Sequence, residues 1–387
     1  MRILICDDTI APLTAMKEPI AQLAPGGSTV DILTGTEVSG AARSLEERRR
    51  AASGKHSESP PAWGSHPFDG VDLLFIDYNF IELEDAGGLT GSRLAYLARC
   101  YSDCKFIVVL NQFGRNRFDL TLRDHPETPA NLHLGSDQIG NPGLWGSKDW
   151  PEFRPWIWPI LPEAVARLER ITAEISGALD VKILEFLDLS DRVSVLPRTV
   201  RQFLVRDDMT FGKLVIEAEN GLDNPDRFFN DSVIARFAAS QVSKWLDHLV
   251  LAAQDLLIDV PRLLSRYPSL LRNRTFESLH GQPLTPDFVE TLELPVYLGE
   301  HQFKKADWLP RAAWFRHSLL SDERIQENAE TAAPGYELRF AEDASRFIAK
   351  EEAASFVADL SSPFVQRFVR KNRGESVEYQ PQLRFAL

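Results

Sequence analysis

The chain has 387 residues, two to three times the usual domain length, so two domains in tandem are expected rather than one core. With 44% hydrophobic, 10% aromatic and 26% charged residues it has the composition of a folded protein, which excludes fibrous and disordered classes. The 43 Lys and Arg against 56 Asp and Glu give a formal net charge of -13, which repels phosphate backbones over most of the surface and argues against non-specific nucleic-acid binding.

The first segment, Arg2 to Cys6, is a short apolar run ended by Asp7 and Asp8, which suits a strand buried on both faces. Ile10 to Leu23 carries apolar positions Leu13, Met16, Ile20 and Leu23 at helical spacing, with Pro25-Gly26-Gly27 as the stop. A second strand is predicted at Thr29 to Leu33. Gly40 to Gly70 is polar, carries Arg48-Arg49-Arg50, and has the composition of an inserted surface loop.

Val71 to Ile76 is the clearest strand and runs into Asp77. Gly87-Gly88 then opens a helix through Leu89, Leu94, Leu97 and Cys100, and Lys105 to Leu110 is a further apolar strand ending at Asn111. A looser stretch leads to a weaker strand at Asn131 to Leu134. An aromatic, proline-rich segment from Trp145 to Trp158 precedes an amphipathic helix from Pro162 to about Ser176. This alternation predicts an α/β fold, a doubly wound, parallel five-stranded sheet over residues 1–177 with an insertion near 40–70. Beyond it, residues 178–387 read as a mainly α-helical domain for output, dimerisation or partner docking. Its clearest helix is Ser232 to Asp259, and it closes with an extended segment at Tyr336 to Ala341 and a last helix near Glu351 to Val369.

Cys6, Cys100 and Cys104 are too few for a disulfide framework and lack zinc-ligand spacing, as expected of a reducing compartment. No apolar run reaches bilayer length and the first is too short for a signal peptide, so no membrane partner and a cytoplasmic location are expected.

Asp7, Asp8 and Asp77 all fall at the carboxyl ends of strands, where open α/β sheets place their ligand crevice. Three carboxylates converging there repel one another unless a hard cation such as Mg²⁺ is bound. Asp77 can then ligate the ion with one oxygen and act as nucleophile towards a phosphoryl group with the other.

The arrangement of strand-Asp7-Asp8, strand-Asp77 and a third apolar strand ending at Asn111 resembles the receiver domain of two-component response regulators, whose sheet is flavodoxin-like. The resemblance covers about two-fifths of the chain. It implies that Asp7 and Asp8 hold Mg²⁺ with Asp77 and the Asn79 carbonyl. It also implies that Asp77 is phosphorylated by a histidine kinase or phosphotransfer protein, for signalling to a downstream effector. Two positions depart from that family. Asn111 stands where it carries Ser or Thr, and the lysine it carries after the fifth strand is either supplied by Lys148, reaching back from the loop, or replaced by Ser136. In overall layout the chain is similar to the receiver components of Detocs-type bacterial anti-phage phosphorelays.

Other features have plainer uses. His56 and His66 read as solvated side chains of the insertion, Arg48-Arg49-Arg50 as a solvated helix end, and Asp207-Asp208 as surface acids. Trp145, Trp150, Trp156 and Trp158 can stack a ligand, but packing over the sheet is the expected use. The leading function is a phosphoacceptor in a phosphorelay, rather than a turnover enzyme. The alternatives are a pseudo-receiver binding module without phosphotransfer and an Mg²⁺-dependent phosphatase of the haloacid-dehalogenase type. The latter is disfavoured because its first strand ends Asp-x-Asp whereas this one ends Asp7-Asp8-Thr9.

Overall fold

The computed structural model describes residues 1–52, 64–78, 80, 89–111, 128–147, 150, 153–196, 198–201, 208–218, 229–325, 337–356 and 367–371. Its amino-terminal part is built on β1 (Arg2–Asp7), α1 (Ile10–Leu23), β2 (Thr29–Thr34), α2 (Gly35–Ala52), β3 (Leu73–Asp77), α3 (Gly91–Tyr101), β4 (Phe106–Asn111), β5 (Leu132–Gly135) and α4 (Leu161–Ser176).

The five strands form one parallel sheet in the order β2-β1-β3-β4-β5. Continuous apolar runs occupy its centre because parallel strands are covered on both faces. Ile3 to Cys6, Leu73 to Ile76 and Ile107 to Leu110 are all at most 1% exposed. α1 packs on β1 and β2, α2 and α3 pack on the sheet and against each other, and the rule that parallel crossovers are right-handed assigns α1 to one face and α2 and α3 to the other. In α1, Leu13, Met16 and Ile20 recur at three- and four-residue spacing and are buried, each contributing about 1.5–3 kcal/mol. The chain then turns at Gly27, whose φ of +79° suits glycine.

One polar network braces this part away from the carboxyl edge of the sheet. Buried Arg99 on α3 donates to the carbonyls of Pro129 and Lys105 and to the Asn131 side chain. Asn131 in turn donates to Ser240 Oγ at 2.9 Å, tying the start of β5 to the helix Asp231–Trp245. That helix also packs on α4, and one buried cluster runs from Ile3 to Phe315 across the 177/178 division.

Several expectations are corrected. The polar stretch from Gly40 begins as helix, since α2 runs to Ala52 with Val38, Ala41, Ala42 and Leu45 buried at helical spacing. Arg48 is 7% exposed rather than solvated, because Asp69 accepts from it at 2.9 and 2.7 Å and the Tyr101 carbonyl at 2.7 Å. His66 is 5% exposed: its Nδ1 accepts from the Phe68 N–H at 3.1 Å and its Nε2 lies 3.0 Å from the Ala41 carbonyl. His56 lies outside the described residues.

The helix expected over Ser232 to Asp259 ends sooner. It changes to π geometry at Leu246–Leu251, Gln254 takes φ +54°, and β6 (Leu257–Asp259) follows, paired antiparallel with β7 (Ala313–Phe315). Of the expected helix near Glu351 to Val369, residues 357–366 lie outside the described residues and its two ends are strands: β8 (Leu338–Ala341), β9 (Arg346–Ala349), β10 (Ala353–Phe356) and β11 (Arg367–Arg370) form a second sheet in the order β10-β11-β8-β9. Arg367 is 4% exposed and donates to both carboxylate oxygens of Glu342 at 2.6 and 2.5 Å, so a buried ion pair helps hold β11 against β8. The second half is thus mixed rather than mainly helical. Among the described residues no helix is long and apolar enough to cross a membrane.

Candidate metal centre

In a sheet of this order the connections leave β1 in opposite senses, opening a crevice beyond the carboxyl ends of β1 and β3. Cys6 stands opposite Ile76 in the register, so the next residues, Asp7 and Asp77, end neighbouring strands side by side. Asp8 follows in the turn to α1. Each of Asp7, Asp8 and Asp77 offers a carboxylate oxygen, and these oxygens lie within 4.8 Å of one another.

Asp7 is 0% and Asp77 is 3% exposed, while Asp8 is partly open. The Thr9 backbone N–H and hydroxyl both donate to Asp7 Oδ1 at 2.9 Å, which orients that carboxylate. Three carboxylates this close, two of them removed from water, suit a hard divalent cation that takes oxygen ligands. The donor set fits such an ion. It contains no thiolate or imidazole, although Cys6 precedes Asp7. Burial pushes the Cys6 thiol well up, and Cys104 and Asp7 add to that, so it stays a thiol. Burial likewise pushes Cys104 up to about 12.

The remaining predicted site residues are distributed along the same edge. Asp77 pairs with Leu110 and Asn111 with Gly135, placing Asn111 one step beyond the neighbour of Asp77; only its backbone is described. Ser136 opens a short 3-10 turn directly after β5 and is partly exposed. Two strand spacings separate β3 from β5, so its backbone stands about 10 Å from that of Asp77, beyond direct contact. Asn79 and Lys148 lie outside the described residues.

Gly91 is a site determinant that the sequence reading passed over, having placed the helix start at Gly87-Gly88, outside the described residues. The Gly91 N–H donates to the Tyr78 carbonyl at 2.8 Å. A Cβ there would strike the Asp77 carbonyl oxygen and lie 2.7 Å from Tyr78 Cα. The amino end of α3 thus sits on the backbone that carries Asp77. The available signal was Thr90, whose hydroxyl caps the helix by accepting from the Arg93 N–H at 3.2 Å.

Of the four tryptophans between Trp145 and Trp158, Trp145, Trp150 and Trp158 are at most 7% exposed. Trp145 packs against Phe75 of the sheet at 6.4 Å between ring centroids, and Trp150 donates to the Ala344 carbonyl. Asp208 is at the surface near Lys213, while Asp207 is outside the described residues.

Neither any family model nor any curated protein matches the sequence.

Proposed function

We propose that the chain is a receiver-like phosphoacceptor of a two-component relay, in which Asp77 takes a phosphoryl group from a histidine kinase or phosphotransfer partner. The observation that carries this reading is the convergence of Asp7, Asp8 and Asp77, with ligand oxygens within 4.8 Å at the switch point of a 2-1-3-4-5 parallel sheet. Asp7, Asp8 and Asp77 would hold Mg²⁺, which would offset negative charge on the transferring phosphoryl oxygens.

The chain's own residues do the rest. Burial of Asp77 at the end of β3 fixes the attacking carboxylate, and the α3 terminus against its carbonyl limits its movement. A carboxylate oxygen of Asp77 forms the new O–P bond while the donor's P–N bond breaks, and the electron pair leaves on the imidazole, which takes a proton from solvent. Asn111 stands where the family uses a hydroxyl, and asparagine is a residue type that can donate through its amide. Ser136, standing where the family has a lysine, supplies no positive charge of its own, which leaves that pairing to Lys148 in the loop that follows.

Incubation of the full chain with Mg²⁺ and a small phosphodonor, or with its cognate autophosphorylated kinase, should yield an acid-stable, base-labile aspartyl phosphate that Asp77→Asn abolishes. If wild type takes up no label while the kinase is phosphorylated, the pseudo-receiver reading replaces this one. Steady release of phosphate from small phosphoesters would favour the phosphatase.

A further inference from the structure

A second site lies away from the acid corner and does not depend on its role. An open cavity of about 170 Å³ is bordered by the proline-rich segment before α4, by α4 itself, and by elements of the second half. Arg154, Arg167 and Arg311 line it together with Trp156, Trp158 and Glu163. A protein with a net charge of -13 thus gathers three guanidinium groups around one small space.

Their partners divide them into two kinds. Arg311 is neutralised: its Nε donates to Asp259 at 3.1 Å, its Nη1 lies 3.4 Å from Asp247, and it stacks on Trp156 at 5.1 Å. Arg154 is 6% exposed and uses its nitrogens on the carbonyls of Gly143, Pro155 and Trp158 and on Ser345 Oγ, none of them an anion. Arg167, on α4, makes no hydrogen bond or ion pair among the described residues. Burial lowers the pKa of both Arg154 and Arg167 and Arg311 pushes the same way on each, while Asp247 and Glu163 oppose it on Arg167 and Glu163 opposes it on Arg154.

The acids lining the cavity, Glu163 one turn before Arg167 on α4 and Glu290, are both exposed to solvent; partial burial and Asp287 raise the Glu163 carboxyl, and Arg167 and Arg154 lower it in turn. Arg154, withdrawn from water with only neutral partners, carries a desolvation cost that an anion bound beside it would offset, and the partly exposed Arg167 offers its donors to the same space. The rest of the wall is apolar, from Val260, Leu284 and Val289 as well as the two indoles. A space of about 150 Å³ accommodates a ring the size of benzene.

We propose that this cavity binds a small organic anion, its oxyanion head on the Arg167 guanidinium and its flat apolar body against Trp156 and Trp158. The planar fork of arginine suits a carboxylate or phosphate head, and the indole faces suit a ring. The tryptophan-rich segment therefore combines packing with a ligand wall: Trp150 belongs to the interior, while Trp156 and Trp158 border the cavity.

Calorimetric and tryptophan-fluorescence titrations of the full chain with benzoate, benzamide and inorganic phosphate test this. Benzoate should bind saturably and change the tryptophan emission, neutral benzamide should not bind, and phosphate should bind more weakly than benzoate. Arg167→Gln should weaken benzoate by roughly tenfold or more, equal to about 1.4 kcal/mol, with an unchanged far-ultraviolet circular dichroism spectrum. Should that variant fail to fold, Glu163→Gln serves instead and should tighten benzoate by removing a like charge. Absence of saturable benzoate binding, equal binding of benzamide or of phosphate, or variants that leave the benzoate affinity unchanged would each overturn the proposal.

Discussion

Asp7 and Asp77 end adjacent parallel strands, and their carboxylates come within ligand-sharing distance while both are shielded from solvent. Without a cation the pair and Asp8 repel one another, so neutralising one should stabilise the cation-free protein. Asp77→Asn is expected to gain about 1 kcal/mol in chelator and to lose any rise in midpoint that Mg²⁺ produces in wild type. Thermal unfolding with and without Mg²⁺ checks both signs, and a destabilised Asp77→Asn in chelator would show that the cluster is not repulsive.

Gly91 and Asp77 are linked through the backbone rather than through side chains. Gly91→Ala introduces a Cβ against the Asp77 carbonyl and Tyr78 Cα, so α3 must shift. The expected cost is about 1–3 kcal/mol, the range of overpacking. Denaturant unfolding measures it, and the same variant should label more slowly at Asp77. A Gly91→Ala protein of wild-type stability would mean that α3 moves freely.

Arg48 and Asp69 form a largely enclosed pair. Burial alone would raise the Asp69 carboxyl, but the hydrogen bonds and charge of Arg48 outweigh it and hold the group below its ordinary range. A depressed carboxyl contributes stability that is present above its unfolded value of about 3.9 and is lost as pH falls through its folded value. Arg48→Ala should cost about 3 kcal/mol at neutral pH, since it also strands the Tyr101 carbonyl. The variant should lose less further stability on acidification than wild type does, and parallel acid-unfolding curves would contradict the assignment.

His66 titrates in a milder range. Burial lowers its pKa, with the backbone bond to Ala41 opposing, so the folded protein favours the neutral ring. The unfolded chain then binds more protons just below its ordinary value of about 6.5, so this contribution is present above that pH and declines as pH falls towards the folded value. Midpoints measured between about pH 7 and pH 5 should drop, and His66→Asn, which keeps an acceptor for the Phe68 N–H, should flatten that drop.

Much of the amino-terminal half was legible because its elements carry their own periodicity. Ile10 to Leu23 is helical over those residues, and the four apolar strands at Arg2, Thr29, Val71 and Lys105 lie within two residues of their observed bounds. The acid corner was legible for the same reason, since apolar strands that end in aspartate in a β-α-β order leave little choice of edge. Arg48 and His66 were misread because polar composition alone does not reveal a partner: Asp69 and the Ala41 carbonyl lie 21 and 25 residues away in the chain.

By itself, the sequence determined the parallel sheet and the edge on which Asp7, Asp8 and Asp77 stand, because buried strands and helical stripes are local patterns. The tertiary structure alone decided that Ala353 to Phe356 and Arg367 to Arg370 are strands, that Gly91 lies on the Asp77 backbone, and that Arg154 and Arg167 share a cavity. Those outcomes depend on partners distant in the chain, whose pairing and desolvation energies outweigh the weak preferences of short segments.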